Sequence, residues 1–166
     1  SGAGSAFPHG ARTDRRIQRG DLVVIDLGAR SQHYRADMTR TAVAGRPSAR
    51  QEEIHGIVRE AHQRALQALR AGVKAREADA AARDLIEERG YGRYFVHGLG
   101  HGVGLEVHEP PTLGRGSRET LEAGNVVTVE PGIYVADFGG VRIEDTVLVL
   151  EDGGERLTEA PYTLEV

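Results

Sequence analysis

An internal repeat that carries acids constrains this chain more than any other feature. Gly20-Asp21-Leu22-Val23-Val24-Ile25-Asp26 matches Gly124-Asn125-Val126-Val127-Thr128-Val129-Glu130. Each begins with Gly, passes through β-branched residues and ends on a carboxylate at the same offset. A second match joins Tyr34-Arg35-Ala36-Asp37-Met38-Thr39 to Val141-Arg142-Ile143-Glu144-Asp145-Thr146, with an Arg, an apolar residue, an acid and a Thr two places later. Two copies of one strand pair would set Asp26, Asp37, Glu130 and Glu144 around a local two-fold axis. Four converging carboxylates repel unless a cation holds them. The repeat therefore predicts a metal site.

The chain has 166 residues, enough for one domain with its own core. Hydrophobic content is 39% and charged content 28%, as in ordinary globular proteins. The net charge is −4 with no block of like charge, which argues against nucleic acid as a partner. There is no Cys, so disulfides and thiolate ligands are excluded, and any metal must take oxygen and imidazole donors. No stretch reaches the ~18 apolar residues of a membrane span, and no signal peptide is visible. The expectation is a cytoplasmic protein with no membrane partner.

Residues 1–20 read as loop-like, punctuated by Gly2, Gly4, Pro8, Gly10 and Gly20. Leu22 to Leu27 reads as a buried strand, Gly28 to His33 as a connection and Tyr34 to Ala44 as the partner strand. Ser48 and Gln51 form a capping box before a helix whose apolar face carries Ile54, Val58, Ala61, Ala65 and Leu69, ended by Gly72. A second helix spans roughly Arg76 to Arg89, with Gly90 closing it. The run from His97 to Gly104 is too rich in glycine for a helix. Strands are predicted near 125–130, 133–137 and 140–150. Two helices precede the second copy and none the first, so the chain is expected to be a C-terminal catalytic fragment (residues 1–166) lacking an N-terminal helix pair.

Asp26 and Asp37 lie eleven residues apart, and Glu130 and Glu144 fourteen, each pair across a turn. Asp26 and Glu130 follow apolar runs, where a bare carboxylate is costly. His97, His101 and His108 fall within twelve residues amid glycines, and His9 precedes the first strand. His33, His55 and His62 read as surface or core residues, the last two on a helix without facing acids. The spacing of His97 and His101 lacks the Glu of a zincin helix. The glycine run has no Gly-Lys-Ser/Thr of a phosphate loop, and no Gly-x-Ser-x-Gly elbow exists.

In order, Asp26, Asp37, His101, Glu130 and Glu144 resemble the five-ligand dinuclear site of the pita-bread metallopeptidases, which include methionine aminopeptidase, aminopeptidase P and prolidase. Val-Ile-Asp-Leu-Gly, Ala-Asp-Met-Thr-Arg-Thr, His-Gly-Leu-Gly-His-Gly-Val-Gly, Val-His-Glu-Pro-Pro, Val-Glu-Pro-Gly-Ile-Tyr and Val-Arg-Ile-Glu-Asp-Thr all fit. Arg142 and the segment Glu130 to Tyr134 resemble the proline-specific branch. The resemblance implies an α+β fold, the pita-bread (creatinase/aminopeptidase) fold: a curved antiparallel sheet with outer helices, inner metals and a pseudo-two-fold repeat.

It further implies two divalent ions, manganese first, with cobalt or zinc as alternatives. Asp37 and Glu144 would bridge both ions, Asp26 would bind one, and His101 and Glu130 would complete the other. A hydroxide between the ions would attack the bond between an N-terminal residue and proline. Glu130 would relay a proton, His108 would contact the oxyanion or the substrate amide, and His97 and Arg142 would hold the proline side and any free carboxylate. His9 would line the pocket. The implied substrate is a dipeptide or longer peptide with proline second, and the full-length protein would be a homodimer. The alternatives are methionine aminopeptidase activity, a binding module without catalysis, and creatinase-like hydrolysis that needs no metal quintet.

Overall fold

In the computed structural model, which describes residues 1–10 and 13–166, the first repeat copy is one long hairpin. Strands β1 (Leu22–Ser31) and β2 (Tyr34–Val43) pair antiparallel along their whole length. The expected connection at Gly28 to His33 shrinks to Gln32 and His33, with φ of 47° and 72°. A two-residue loop with positive φ matches the twist of the strands it joins. Asp26 stands opposite Thr39 and Gly28 opposite Asp37. Residues opposite each other or two apart share a face, so Asp26, Asp37 and Thr39 project together.

The second copy is the same hairpin with a kink. It comprises β5 (Val126–Val129), β6 (Gly132–Val135), β7 (Gly139–Arg142) and β8 (Asp145–Val149). Val129 pairs with Asp145, and Gly132 with Arg142. Two residues intervene on each strand, so one register continues across the break. Pro131 has no N–H to give the ladder, and Glu130 and Glu144 sit at this kink. The strand expected at 140–150 is thus two strands, broken at Ile143-Glu144. The glycine run becomes β3 (Gly100–Gly102), which pairs with β4 (Glu109–Leu113) and β5; β9 (Gly154–Arg156) closes the edge. Among the described residues, pairing falls into three sheets, two of them ribbons. A bridge from Thr39 to Glu144 links the first ribbon to the second copy, with the Glu144 N–H donating to the Thr39 carbonyl at 3.0 Å.

Helices α1 (Ala49–Ala68) and α2 (Ala75–Glu88) cover the outer side of the second copy. Both arms of the Ser48–Gln51 capping box form. Val58, Ala61 and Ala65 of α1, and Ala78, Ala82 and Leu85 of α2, join Val127, Val129, Ile143 and Val147 in one buried core. Among the described residues, no helix is long and apolar enough to cross a membrane.

Three sequence expectations change here. The segment expected to be loop-like holds a short 3-10 helix, Gly2–Ala6, which packs Ser5 against Gly140; Ala11 and Arg12 of that segment lie outside the described residues. The strand expected to be buried is fully buried at Leu22 alone and half-buried at Val23 and Val24. Ile25 and Leu27 are 41% and 55% exposed, because they alternate with Asp26 onto a face of the ribbon that no layer of the described residues covers. His62 does face an acid: its Nε2 lies 3.2 Å from Asp145 Oδ2, both fully buried, in ion-pair range though without hydrogen-bond alignment. Periodicity along α1 cannot show that contact, since Asp145 comes from a distant strand.

The glycine run owes its composition to close approach. A Cβ on Gly100 would stand 2.1 Å from the Thr128 carbonyl oxygen, and one on Gly102 would stand 2.3 Å from that of Pro110. Gly153 has open space instead. Gly100→Ala should therefore cost about 1–3 kcal/mol or more of stability, and Gly153→Ala about 0.5 kcal/mol at most, as read by denaturant unfolding.

Candidate metal centre

Strand alternation and the kink deliver the acids to one cavity of about 240 Å³. Asp26 and Asp37 enter from the first ribbon, and Glu130 and Glu144 from the kink of the second. His101 comes from β3, His97 and His108 from the segments flanking it, His9 from the N-terminal segment and Arg142 from the end of β7. All nine residues expected at a site therefore line this cavity. They do not meet equally closely.

Asp37, His101 and Glu144 each offer a ligand atom within 4.8 Å of the other two. His101 Nδ1 donates to the Gly102 carbonyl at 3.0 Å, which leaves Nε2 free of backbone partners and facing the carboxylates. That Nε2 lies 3.2 Å from Glu130 Oε1 and 4.0 Å from Asp37 Oδ2. Thr128 Oγ1 donates to Glu130 Oε1 at 2.9 Å, and Thr39 Oγ1 donates to Glu144 Oε2 at 2.5 Å. The His108 ring packs edge-on against His101, centroids 4.2 Å apart. Asp26 stands apart, its carboxylate drawn to the Arg142 guanidinium.

Arg142 is committed inside the protein. Besides Asp26, it donates to Thr39 Oγ1 at 3.1 Å, to Tyr134 Oη at 3.1 Å and to the Pro8 carbonyl at 3.3 Å. One N–H remains for a ligand. His97 is similarly engaged: Nδ1 donates to the Gly98 carbonyl at 2.7 Å, and Nε2 accepts from Tyr134 Oη–H at 3.0 Å. Arg142, Tyr134 and His97 thus form a chain of donors. Sequence reasoning missed Tyr134, Thr39 and Thr128. Thr39 carries a signal in hindsight, since it repeats as Thr146 after the matched acids; Thr128 and Tyr134 carry none beyond their places in the motifs.

The charges explain what the cavity needs. Burial, then the carboxylates of Glu130 and Asp37, push Glu144 up to about 8. Burial, then Asp26 and Glu130, also raise Asp37. Burial works to raise Glu130 too, but the hydrogen bond and charge of His101 hold it below its ordinary value. For His101, burial opposes the charge, and Glu130 outweighs it and raises the imidazole. Burial lowers His97 and lifts the Tyr134 phenol to about 12, so Tyr134 remains a proton donor at neutral pH. Glu144 is 2% exposed, and its nearest guanidinium nitrogen, Arg142 Nε, is 3.9 Å away. A buried surplus of carboxylates beside one free imidazole nitrogen fits divalent cations with oxygen and nitrogen ligands.

This fold and this donor set define a metallopeptidase of the pita-bread kind. The model of metallopeptidase family M24 matches residues 1–151, and the chain belongs to that family. It is 56% identical over 164 residues to the Xaa-Pro dipeptidase of Pyrococcus furiosus, covering 99% of this chain and 47% of that protein. The solved prolidase from Pyrococcus furiosus superposes with a TM-score of 0.94 at 55% identity, over 96% of this chain and 48% of that one. The X-Pro aminopeptidase from Thermotoga maritima superposes at 0.96 and 46% identity, over 99% and 47%. The chain spans about half the length of the curated relatives it matches.

A raised carboxylic acid stabilises the fold below its unfolded pKa, and that contribution is lost as pH rises through the folded value. For Glu144 the window runs from its ordinary 4.5 to about 8, and Asp37 adds the same sign. The metal-free protein should thus lose melting temperature across that window. The stabilisation by added manganese should grow across it, since ligands must be ionised to bind. Glu144→Gln should flatten both slopes in thermal unfolding followed at several pH values.

Proposed function

We propose that the complete protein is a metal-dependent Xaa-Pro dipeptidase, hydrolysing the bond between an N-terminal residue and proline. The convergence of Asp37, Glu144, Glu130 and the free Nε2 of His101 on one cavity carries this reading. Two Xaa-Pro dipeptidases, similar to this chain at 56% and 55% identity, support the substrate class. Asp26, Asp37, His101, Glu130 and Glu144 are assigned as ligands of two divalent ions. Four carboxylates to one imidazole favour manganese over zinc, since oxygen-rich sites suit harder ions. The chemistry that such a pair supplies when bound is polarisation of the scissile carbonyl and a water made acidic near neutral pH.

The chain's own residues do the rest. Glu130, at the cavity wall with its Oε1 3.2 Å from His101 Nε2, is positioned to take a proton from the attacking water and pass it toward the proline nitrogen. Such transfer contributes roughly 10²–10⁴ in rate. His108, exposed at the cavity rim beside His101, is placed to donate to the carbonyl oxygen as negative charge develops there. His97 has both ring nitrogens engaged, so we assign it the wall of the proline side rather than proton transfer. Arg142 holds Asp26 and keeps one N–H for a substrate carboxylate; His9 borders the entrance. Proline has no amide N–H and a fixed ring, so a preformed wall suits it better than a donor-gripping site.

A second reading, an X-Pro aminopeptidase acting on longer chains, is favoured by the likeness to the Thermotoga maritima enzyme. A cytoplasmic location and a homodimeric full-length state belong to the same proposal. The test uses the full-length protein and a dipeptide ending in proline. Chelation should abolish turnover, and manganese should restore it. Asp37→Ala should lower turnover by about a hundredfold or more and reduce bound metal. Normal turnover and metal content in that variant would refute the ligand assignment. Cleavage of tripeptides as fast as dipeptides would favour the second reading.

A further inference from the structure

We infer that the buried pair Asp79–Arg83 on α2 is a positioning device for the His97 wall of the cavity, an inference that rests on the proposed peptidase reading. Arg83 Nε lies 2.7 Å from Asp79 Oδ2, and Arg83 NH2 lies 2.7 Å from Asp79 Oδ1, a bidentate pair with side chains 6% and 1% exposed. Three further contacts turn outward from the helix. Arg83 donates to the Phe95 carbonyl at 2.9 Å and to the His97 carbonyl at 2.6 Å. Asp79 Oδ1 accepts the Leu99 N–H at 2.9 Å.

The pair therefore grips the backbone at 95, 97 and 99, every second residue of a segment that belongs to no strand. That spacing is the one a neighbouring strand would use, so the salt bridge replaces a missing ladder. The guanidinium also stacks on the Phe95 ring at 3.9 Å, and Phe95 meets the His97 ring edge-on at 5.2 Å. His97 then meets Tyr134, and Tyr134 meets Arg142. An ion pair of good geometry buried in α2 does little for stability compared with an apolar replacement. Its use here is orientation of the segment that carries His97 into the cavity. Neither residue lines the cavity itself, so both act through His97.

Removing one partner alone would strand a buried charge. The decisive variant is Asp79→Leu with Arg83→Met in the full-length, manganese-loaded protein, compared with Arg83→Lys and with His97→Ala in both backgrounds. Expected are unchanged bound manganese, faster amide exchange confined to residues near 95–99, and a rise in KM for the proline dipeptide of about tenfold to a hundredfold with a smaller change in kcat. Arg83→Lys, which keeps one donor, should recover part of the loss. His97→Ala should add little in the double-variant background, because the two changes act on one element. Full additivity of His97→Ala, or an unchanged KM with normal exchange, would overturn the inference. If the unaltered protein proves inactive on proline dipeptides, the function fails, and the exchange of residues 95–99 alone decides this inference.

Discussion

Repulsion among Asp37, Glu130 and Glu144 is the constraint that the surrounding structure has to withstand. Burial and mutual charge lift Glu144 to about 8, so the fold must hold these carboxylates together against their own electrostatics. It does so with the two halves of the repeat. Thr39 of the first copy donates to the Glu144 carboxylate of the second. Thr146 of the second copy donates to the Asp37 carbonyl at 2.7 Å and accepts from its N–H at 3.3 Å. The repeated threonine thus lets each copy brace the acid-bearing residue of the other, at the Glu144 carboxylate in one case and the Asp37 backbone in the other.

Strand alternation then separates two electrostatic environments one residue apart. Glu144 points inward to the crowded cavity, while Asp145 points outward under α1. Burial would raise Asp145 as well, but the close His62 ring and hydrogen bonds from Tyr162, Arg40 and Thr158 hold it far below the usual carboxylate range. Arg40 ties the two sides together by donating to the Thr39 and Glu144 carbonyls at 2.9 and 2.7 Å and to Asp145 Oδ1 at 2.7 Å. Adjacent acids of one chain segment are shifted in opposite directions because Asp145 gathers donors from Arg40, Thr158 and Tyr162, while the Thr39 hydroxyl at Glu144 is outweighed by burial and the charges of Glu130 and Asp37. Glu144 is the candidate cation ligand of the two.

The repeat made the acids legible because it states the same local pattern twice, and chance seldom repeats an acid at a matched offset. The helices were legible from caps and apolar spacing, and α1 and α2 begin within about a residue of their expected starts. What escaped notice depends on contacts between distant segments. The break at Ile143-Glu144 follows from Pro131 across the ribbon, not from anything within 140–150. The Asp145 network gathers residues 40, 62, 158 and 162, which share no local pattern. The engagement of Arg142 and His97 was hidden for the same reason, since a titratable side chain looks free in a sequence until its partners are folded onto it.

The two His-Gly pairs show how a small local device acquires two functions. In each, Nδ1 donates to the carbonyl of the following glycine, at 2.7 Å for His97 and 3.0 Å for His101. That bond sets the neutral tautomer and leaves Nε2 to accept. The environment of Nε2 decides the outcome. At His101 it faces Glu130 and Asp37, which supply negative charge and no proton donor when ionised, so the nitrogen is available to a cation. At His97 it faces the Tyr134 hydroxyl, kept protonated by burial, and is already satisfied. Identical dipeptides four residues apart are thus a candidate ligand and a fixed wall, and the distinction comes from a tyrosine on the opposite ribbon rather than from the histidines themselves.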